Sequence, residues 1–233
     1  MKKVTIFSII FFASLALMGN SQAKMSGIFL KDYPASSTLE EYLNLASPLE
    51  IGDIFILPEG LFDEQEAAAI ISRVDRIPSS LLAKVNKEGI YIKLFSGKLT
   101  DNPTASHLQG IIPRGYTSNK TWDEVPGIGG SQTVLVKIGS SEKGQGHGSV
   151  NLELHELAHS IDRHVYNGIR YNTRFLEIWN KEKATLFSGM DYFLNYPEEY
   201  FAESFAMFFV NEEYRAQLKE KAPLTFVFID NLK

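Results

Sequence analysis

Residues 151–162 read NLELHELAHSID. His155 and His159 stand four apart, and on an α-helix that spacing puts both imidazoles on one face, a turn from each other. Val150, Leu154, Leu157, Ala158 and Ile161 recur at helical spacing through the same run. Apolar residues therefore bury one side of the helix while the histidines project from another. Glu156 directly follows the first histidine. The pattern H-E-x-x-H suits two imidazoles on a metal ion beside a carboxylate that draws a proton from water, the arrangement of zinc metallopeptidases. Such a pentad arises by chance on the order of once per hundred chains of this length, so the flanking sequence has to decide.

Upstream of the pentad the patterns are those of short strands and helices. Lys24–Ser47 is polar, with Leu39–Leu45 a short helix. Asp53–Leu57 reads as a strand, and Asp63 with Glu66 forms a capping box for a helix to about Val74. Pro78 opens a second helix, which Gly89 ends. Ile90–Phe95 alternates into a strand with Ile90, Ile92 and Leu94 on one face, and Thr133–Ile138 is another. Residues 96–131 are rich in Gly, Pro, Asn and Ser and read as loop, with Gly127–Gly130 flexible. After the glycine-rich turn Gly139–Gly148 the character becomes helical, continuing in Tyr196–Val210, Asn211–Lys221 and Pro223–Asn231. Strands first and helices later predict an α+β fold. A small mixed sheet packs on the histidine helix, and a mostly helical part follows.

The ends and the composition bound the rest. Lys2 and Lys3 precede an apolar run, Val4–Met18, and small residues lead to a cut after Ala23, the pattern of a secretory signal peptide. Residues 24–233 are then expected as one domain, an α/β lobe to about 165 and a helical lobe from about 166. Removing 1–23 takes away two lysines and no acids, so the formal charge moves from −5 to −7. That acidity argues against nucleic acid or an anionic membrane as partner. No cysteine is present, so an exported chain carries no disulfide and any metal is held by His and carboxylate.

Catalytic zinc takes three protein ligands and keeps one position open. A third histidine six positions after the second is absent, because Asp162 and Val165 stand in that stretch. A later helix supplies a glutamate instead. In YPEEYFAESFAMFF (196–209), Pro197 suits the first helical turn, and Glu198 and Glu199 follow where the helix dipole favours carboxylates. Phe201, Phe205 and Phe208 form the buried stripe. Glu199, Ala202 and Glu203 lie on the neighbouring face, where the small Ala lets two helices approach closely.

NLELHELAHSID followed forty residues later by PEEYFAESFA resembles the catalytic core of the anthrax lethal factor group, and more closely the secreted Pro-Pro endopeptidases of Gram-positive bacteria. IYIKLFSGKLTD (90–101), GIIPRGY (110–116), KTWDEVPGIGGS (120–131) and GQGHG (144–148) look like the same family, so the likeness runs from about Asp53 to Lys233. The resemblance implies a gluzincin-like zincin with one Zn²⁺ per chain on His155, His159 and Glu199. It implies Glu156 as catalytic base and Tyr192 as the residue facing the substrate carbonyl. Lys120, Trp122 and Glu198 match positions that shape the substrate site.

Further expectations build on that resemblance. Tyr192, in a loop before Pro197, donates to the forming oxyanion. Lys120 and Glu198 pair across the cleft. Trp122 offers an aromatic face to a stiff proline-rich chain, which lacks the N–H groups needed for strand pairing. His147, in its glycine turn, touches substrate or backs the ligands, while Glu203 and Asp162 are expected to orient the ligands by hydrogen bonds, Asp162 being equally suited to the surface. His107 is a surface residue, and His164 packs or caps off the ligand face. The expected partner is a proline-rich segment of an extracellular or cell-surface protein, met by a secreted monomer. Two rivals are a lethal-factor-like protease with another cleavage motif and a catalytically silent binder of proline-rich segments.

Overall fold

Three backbone segments that run side by side position everything else. In the computed structural model, which describes residues 26–114 and 119–232, Tyr91–Phe95 pairs in parallel with Thr133–Lys137 on one side and with Phe55–Leu57 on the other. The signal-peptide segment lies outside the described residues. In chain order the elements are β1 (Ile28–Phe29), α1 (Thr38–Tyr42), α2 (Pro48–Ile54), β2 (Phe55–Leu57), α3 (Glu64–Val74), α4 (Ser79–Lys87) and β3 (Tyr91–Phe95). There follow β4 (Gly127–Ile128), β5 (Thr133–Lys137), α5 (Leu152–Ser160), α6 (Thr173–Leu186), α7 (Asp191–Asn195), α8 (Pro197–Val210), α9 (Glu212–Lys221) and α10 (Pro223–Asp230). The sheet order is β1-β2-β3-β5-β4, antiparallel at both edges and parallel inside. This is the expected α+β arrangement with a small mixed sheet.

Local chemistry explains most boundaries. Asp63 accepts from the Glu66 N–H at 3.0 Å and starts α3, whose Ala67, Ile70, Ile71 and Val74 are buried. Asn151 does the same for α5, accepting from Leu154 at 3.1 Å, so the histidine helix begins at Leu152. It ends in a wider turn, Ile161–Val165, of π-helical type. Helix α8 is buried from Glu199 through Phe209, not along a stripe alone, as expected for a helix enclosed on all sides. Among the described residues no helix is long and apolar enough to cross a membrane.

Several elements depart from the sequence reading. Asp53 belongs to helix α2, because Pro48 opens that helix and Ile51 and Ile54 bury one of its faces, leaving a strand of three residues. Residues 127–131 are not a flexible loop. Gly127 and Ile128 form β4 against β5, and a Cβ on Gly129 would lie 1.9 Å from the Glu156 carbonyl oxygen. Only glycine allows the strand to approach the histidine helix so closely. Gly130 adds a bond to Ser160 Oγ at 3.0 Å and one from Arg163 at 2.9 Å. Helices α6 and α7 were not anticipated. Asn172 caps α6 through the Phe175 N–H, and Phe175, Ile178 and Leu186 are buried. The apolar stripe is broken by Glu182, which turns inward to accept from the Leu224 and Thr225 N–H groups at the start of α10.

One ion pair ties the sheet-side helices to the site helix. Glu153, in the first turn of α5, is 0% exposed and bonds to the Arg73 Nε of α3. Removing one member of a buried pair leaves the other charge without compensation, at a cost of about 3–5 kcal/mol. Arg73→Leu is therefore expected to lower stability by that order in urea unfolding, and the double change Arg73→Leu with Glu153→Leu to recover most of it. Losses that simply add would contradict the pairing.

Candidate active site

Helix α5 sets His155 and His159 one turn apart, with ring centroids 4.9 Å apart and planes at 83°. Helix α8 meets it side by side, and Pro197 at its first position fixes where the helix begins, so Glu199 emerges in the opening turn. Glu199 Oε2 lies 3.4 Å from His155 Nε2 and 3.3 Å from His159 Nε2, while the two Nε2 atoms are 3.2 Å apart. One turn further along α8, Glu203 is buried. Its Oε2 accepts from His155 Nδ1 at 3.0 Å and its Oε1 from the Val150 N–H at 2.9 Å. With a proton on Nδ1, the His155 Nε2 carries a free lone pair.

Three electron-pair donors thus face one point. In a tetrahedral zinc centre with bonds of about 2.0–2.1 Å, neighbouring ligand atoms stand roughly 3.3–3.4 Å apart. The observed spacings of 3.2, 3.3 and 3.4 Å match that geometry. The field favours a cation as well. Burial opposes a charge on His155, yet the Glu199 and Glu203 carboxylates override it and push the imidazole up to about 10. Burial also opposes ionisation of Glu199, and the two histidines hold its carboxyl far below the usual range. The donor set fits a zinc ion held by His155, His159 and Glu199.

The remaining candidates divide. Glu156 is half-buried beside these ligands, and its charge acts on both His155 and His147. Tyr192 sits in the short helix α7 instead of a loop, with 40% of its surface exposed. Burial of the hydroxyl and the adjacent Glu199 charge push its phenol above the ordinary range, so it stays a proton donor; Arg114 acts in the opposite sense. His147 donates from Nε2 to the Ser140 carbonyl at 2.9 Å, and its Nδ1 is buried with no partner among the described residues. Burial holds this imidazole below its usual range, which keeps it neutral.

Two expectations need correction. Lys120 is exposed and Glu198 turns elsewhere, lying 3.2 Å from Arg114 and 3.9 Å from Arg170. Asp162 explains the second arginine. It is fully buried and accepts from the Arg170 backbone N–H at 3.0 Å and Nε at 2.6 Å, which sets that guanidinium 3.9 Å from Glu198. Trp122 is only half-buried, but its ring is packed on a small second cluster of Phe95, Leu99, Ala105 and Leu135. The two arginines escaped the sequence reading. A buried Asp162 demands a cation, which was a usable signal for Arg170; nothing local pointed to Arg114.

The loop bearing Lys120 and Trp122 is knotted by Asp123. Its carboxylate accepts from the Gly110 N–H at 2.8 Å, Thr100 Oγ1 at 2.7 Å and Thr121 Oγ1 at 2.9 Å. These bonds, the Gly110 one first, pull its pKa down to about 2. A depressed carboxyl contributes its stabilisation above the unfolded value, near 4, and loses it as pH falls through the folded value. Protection of the Gly110 amide, its exchange compared with the intrinsic rate at each pH, is therefore expected to fall between about pH 4 and pH 2. Asp123→Asn should show the faster exchange at neutral pH already.

Known proteins share this architecture. The family model described as "Anthrax toxin lethal factor, N- and C-terminal domain" matches residues 44–232. A Pro-Pro endopeptidase of Clostridioides difficile (strain 630) is 43% identical over 183 residues, covering 78% of this chain and 82% of that protein. A Pro-Pro endopeptidase of Paenibacillus alvei is 41% identical over 180 residues, covering 77% and 82%. The solved structure of a Pro-Pro endopeptidase from Paenibacillus alvei superposes with a TM-score of 0.75 at 39% identity, over 79% of this chain and 100% of that one. By sequence and by structure alike, the chain belongs to the anthrax toxin lethal factor family, within its group of Pro-Pro endopeptidases.

Proposed function

We propose that this chain is a secreted, zinc-dependent endopeptidase that hydrolyses the bond between two consecutive prolines in extracellular or cell-surface proteins, acting as a monomer. The observation carrying this reading is the convergence of His155, His159 and Glu199 beside Glu156, in a chain more than 40% identical to Pro-Pro endopeptidases. His155, His159 and Glu199 would hold a zinc ion, which would supply a Lewis acid for the scissile carbonyl and for water. Glu156 takes a proton from the attacking water and later delivers it to the leaving proline nitrogen. Tyr192, kept protonated by its surroundings, donates to the carbonyl oxygen as negative charge develops there. Glu203 fixes the His155 ring and its tautomer.

A peptide library with a central Pro-Pro pair, digested with and without a chelator and read by mass spectrometry, tests the reading. Cleavage between the prolines that stops on chelation and returns with zinc is the expected result. Cuts at another motif would favour a protease of different specificity. Binding of the peptides without any cleavage would favour a recognition module.

A further inference from the structure

Glu199 turns Oε2 toward the imidazoles, and its other oxygen has a partner of its own. Oε1 faces Arg114 Nη2 at 3.7 Å. The same Nη2 lies 3.2 Å from Glu198 Oε1, the guanidinium stands over the Tyr196 ring at 4.4 Å, and the Tyr192 hydroxyl is near enough to act on its charge. Helix α7, the joint after it and the first turn of α8 thus converge on one guanidinium. Arg170 Nη1 lies 3.9 Å from that same Glu198 oxygen, and Arg170 is itself fixed by the buried Asp162 just beyond the histidine helix. An alternating chain of charges, Asp162–Arg170–Glu198–Arg114–Glu199, links the end of the histidine helix to the third donor.

We propose that Arg114 is a positioning residue. It engages Glu199 Oε1 so that this carboxylate offers a metal one oxygen only, and it keeps the Tyr192 hydroxyl at the site. A carboxylate with both oxygens free is able to engage a divalent ion through both, which takes up the position that water needs. A guanidinium suits this task because its planar fork meets two acceptors at fixed directions, whereas an ammonium is a point charge. The Arg114 side chain is 60% exposed, so its ion pairs are screened and contribute little to folding. A change at Arg114 should therefore alter the site while leaving the fold intact, which a merely structural role would not do. The inference rests on the peptidase reading only for its kinetic arm.

The test replaces zinc by Co²⁺ in the wild type, Arg114→Ala and Arg114→Lys, and records the visible absorption, the Co²⁺ dissociation constant and the melting temperature. The Ala variant is expected to show weaker, blue-shifted bands, the signature of a higher coordination number, with metal affinity unchanged or tighter and melting unchanged. On a Pro-Pro peptide its kcat should fall about 10–100-fold, as for other groups that orient metal ligands, with KM little altered. The Lys variant should fall between. Should the Ala variant melt early, Glu198→Gln, which loosens Arg114 but leaves Glu199 in place, is expected to give the same spectral change in smaller degree. Unchanged cobalt spectra in both Arg114→Ala and Glu198→Gln, or kcat within threefold of wild type, would overturn the proposal. A wild type that fails to cut Pro-Pro peptides would sink the peptidase reading, and the spectra would still decide the role of Arg114.

Discussion

Glu156→Gln is expected to lower turnover of a Pro-Pro peptide by about 10²–10⁴-fold, the range that a positioned general base contributes, while zinc and peptide remain bound. The substitution keeps the volume and shape of the side chain, and Glu156 is none of the three donors that face one another. Its backbone is pressed against Gly129, so the helix has little freedom to rearrange around a new side chain. What the change removes is a carboxylate beside the ligands that, among the described residues, is not bonded to the histidines; Glu199 and Glu203 already are. Turnover, bound zinc and peptide affinity measured on one preparation separate the possibilities. A drop in kcat with unchanged KM and stoichiometric metal assigns the base. Turnover within tenfold of wild type would remove Glu156 from the chemistry, and unchanged peptide binding by a protein that never cleaves would point to a binder.

The elements that carry the three converging side chains were legible because each announces itself within one turn. His155 and His159 share a face by spacing alone, and Pro197 followed by two acids marks the start of α8. The parts that escaped reading are fixed by contacts distant in sequence. Arg114 meets Glu198 across 84 positions, and no periodicity reports such a pair. Glycine 129 reads as loop because it has no side chain, yet that lack is what lets a strand edge lie against the helix. Helix α6 was hidden by Glu182, a carboxylate standing where the apolar stripe should continue and serving α10 instead. Lys120 and Glu198 were plausible partners by charge alone. Arg114 at 3.2 Å and Arg170 at 3.9 Å occupy Glu198 instead.

Replacing Glu199 and replacing Glu203 should have consequences of different size, though the two residues are one turn apart on the same helix. Glu199→Ala removes a donor and leaves two imidazoles, fewer than the three protein ligands of a catalytic zinc site. The variant is expected to lose zinc during ordinary dialysis and to show no cleavage above background. Glu203→Ala leaves all three donors but frees His155 to rotate and to change tautomer, and it orphans the Val150 N–H. Loss of such an outer partner costs about 10–100-fold in metal affinity or activity. Excess zinc should therefore restore Glu203→Ala toward the wild-type rate and leave Glu199→Ala inactive. Zinc titrations followed by competition with a chromogenic chelator, run alongside peptide cleavage, measure both. If Glu199→Ala retained stoichiometric zinc after dialysis, the third donor would have to be sought elsewhere, and the arrangement of the two helices would need another reason.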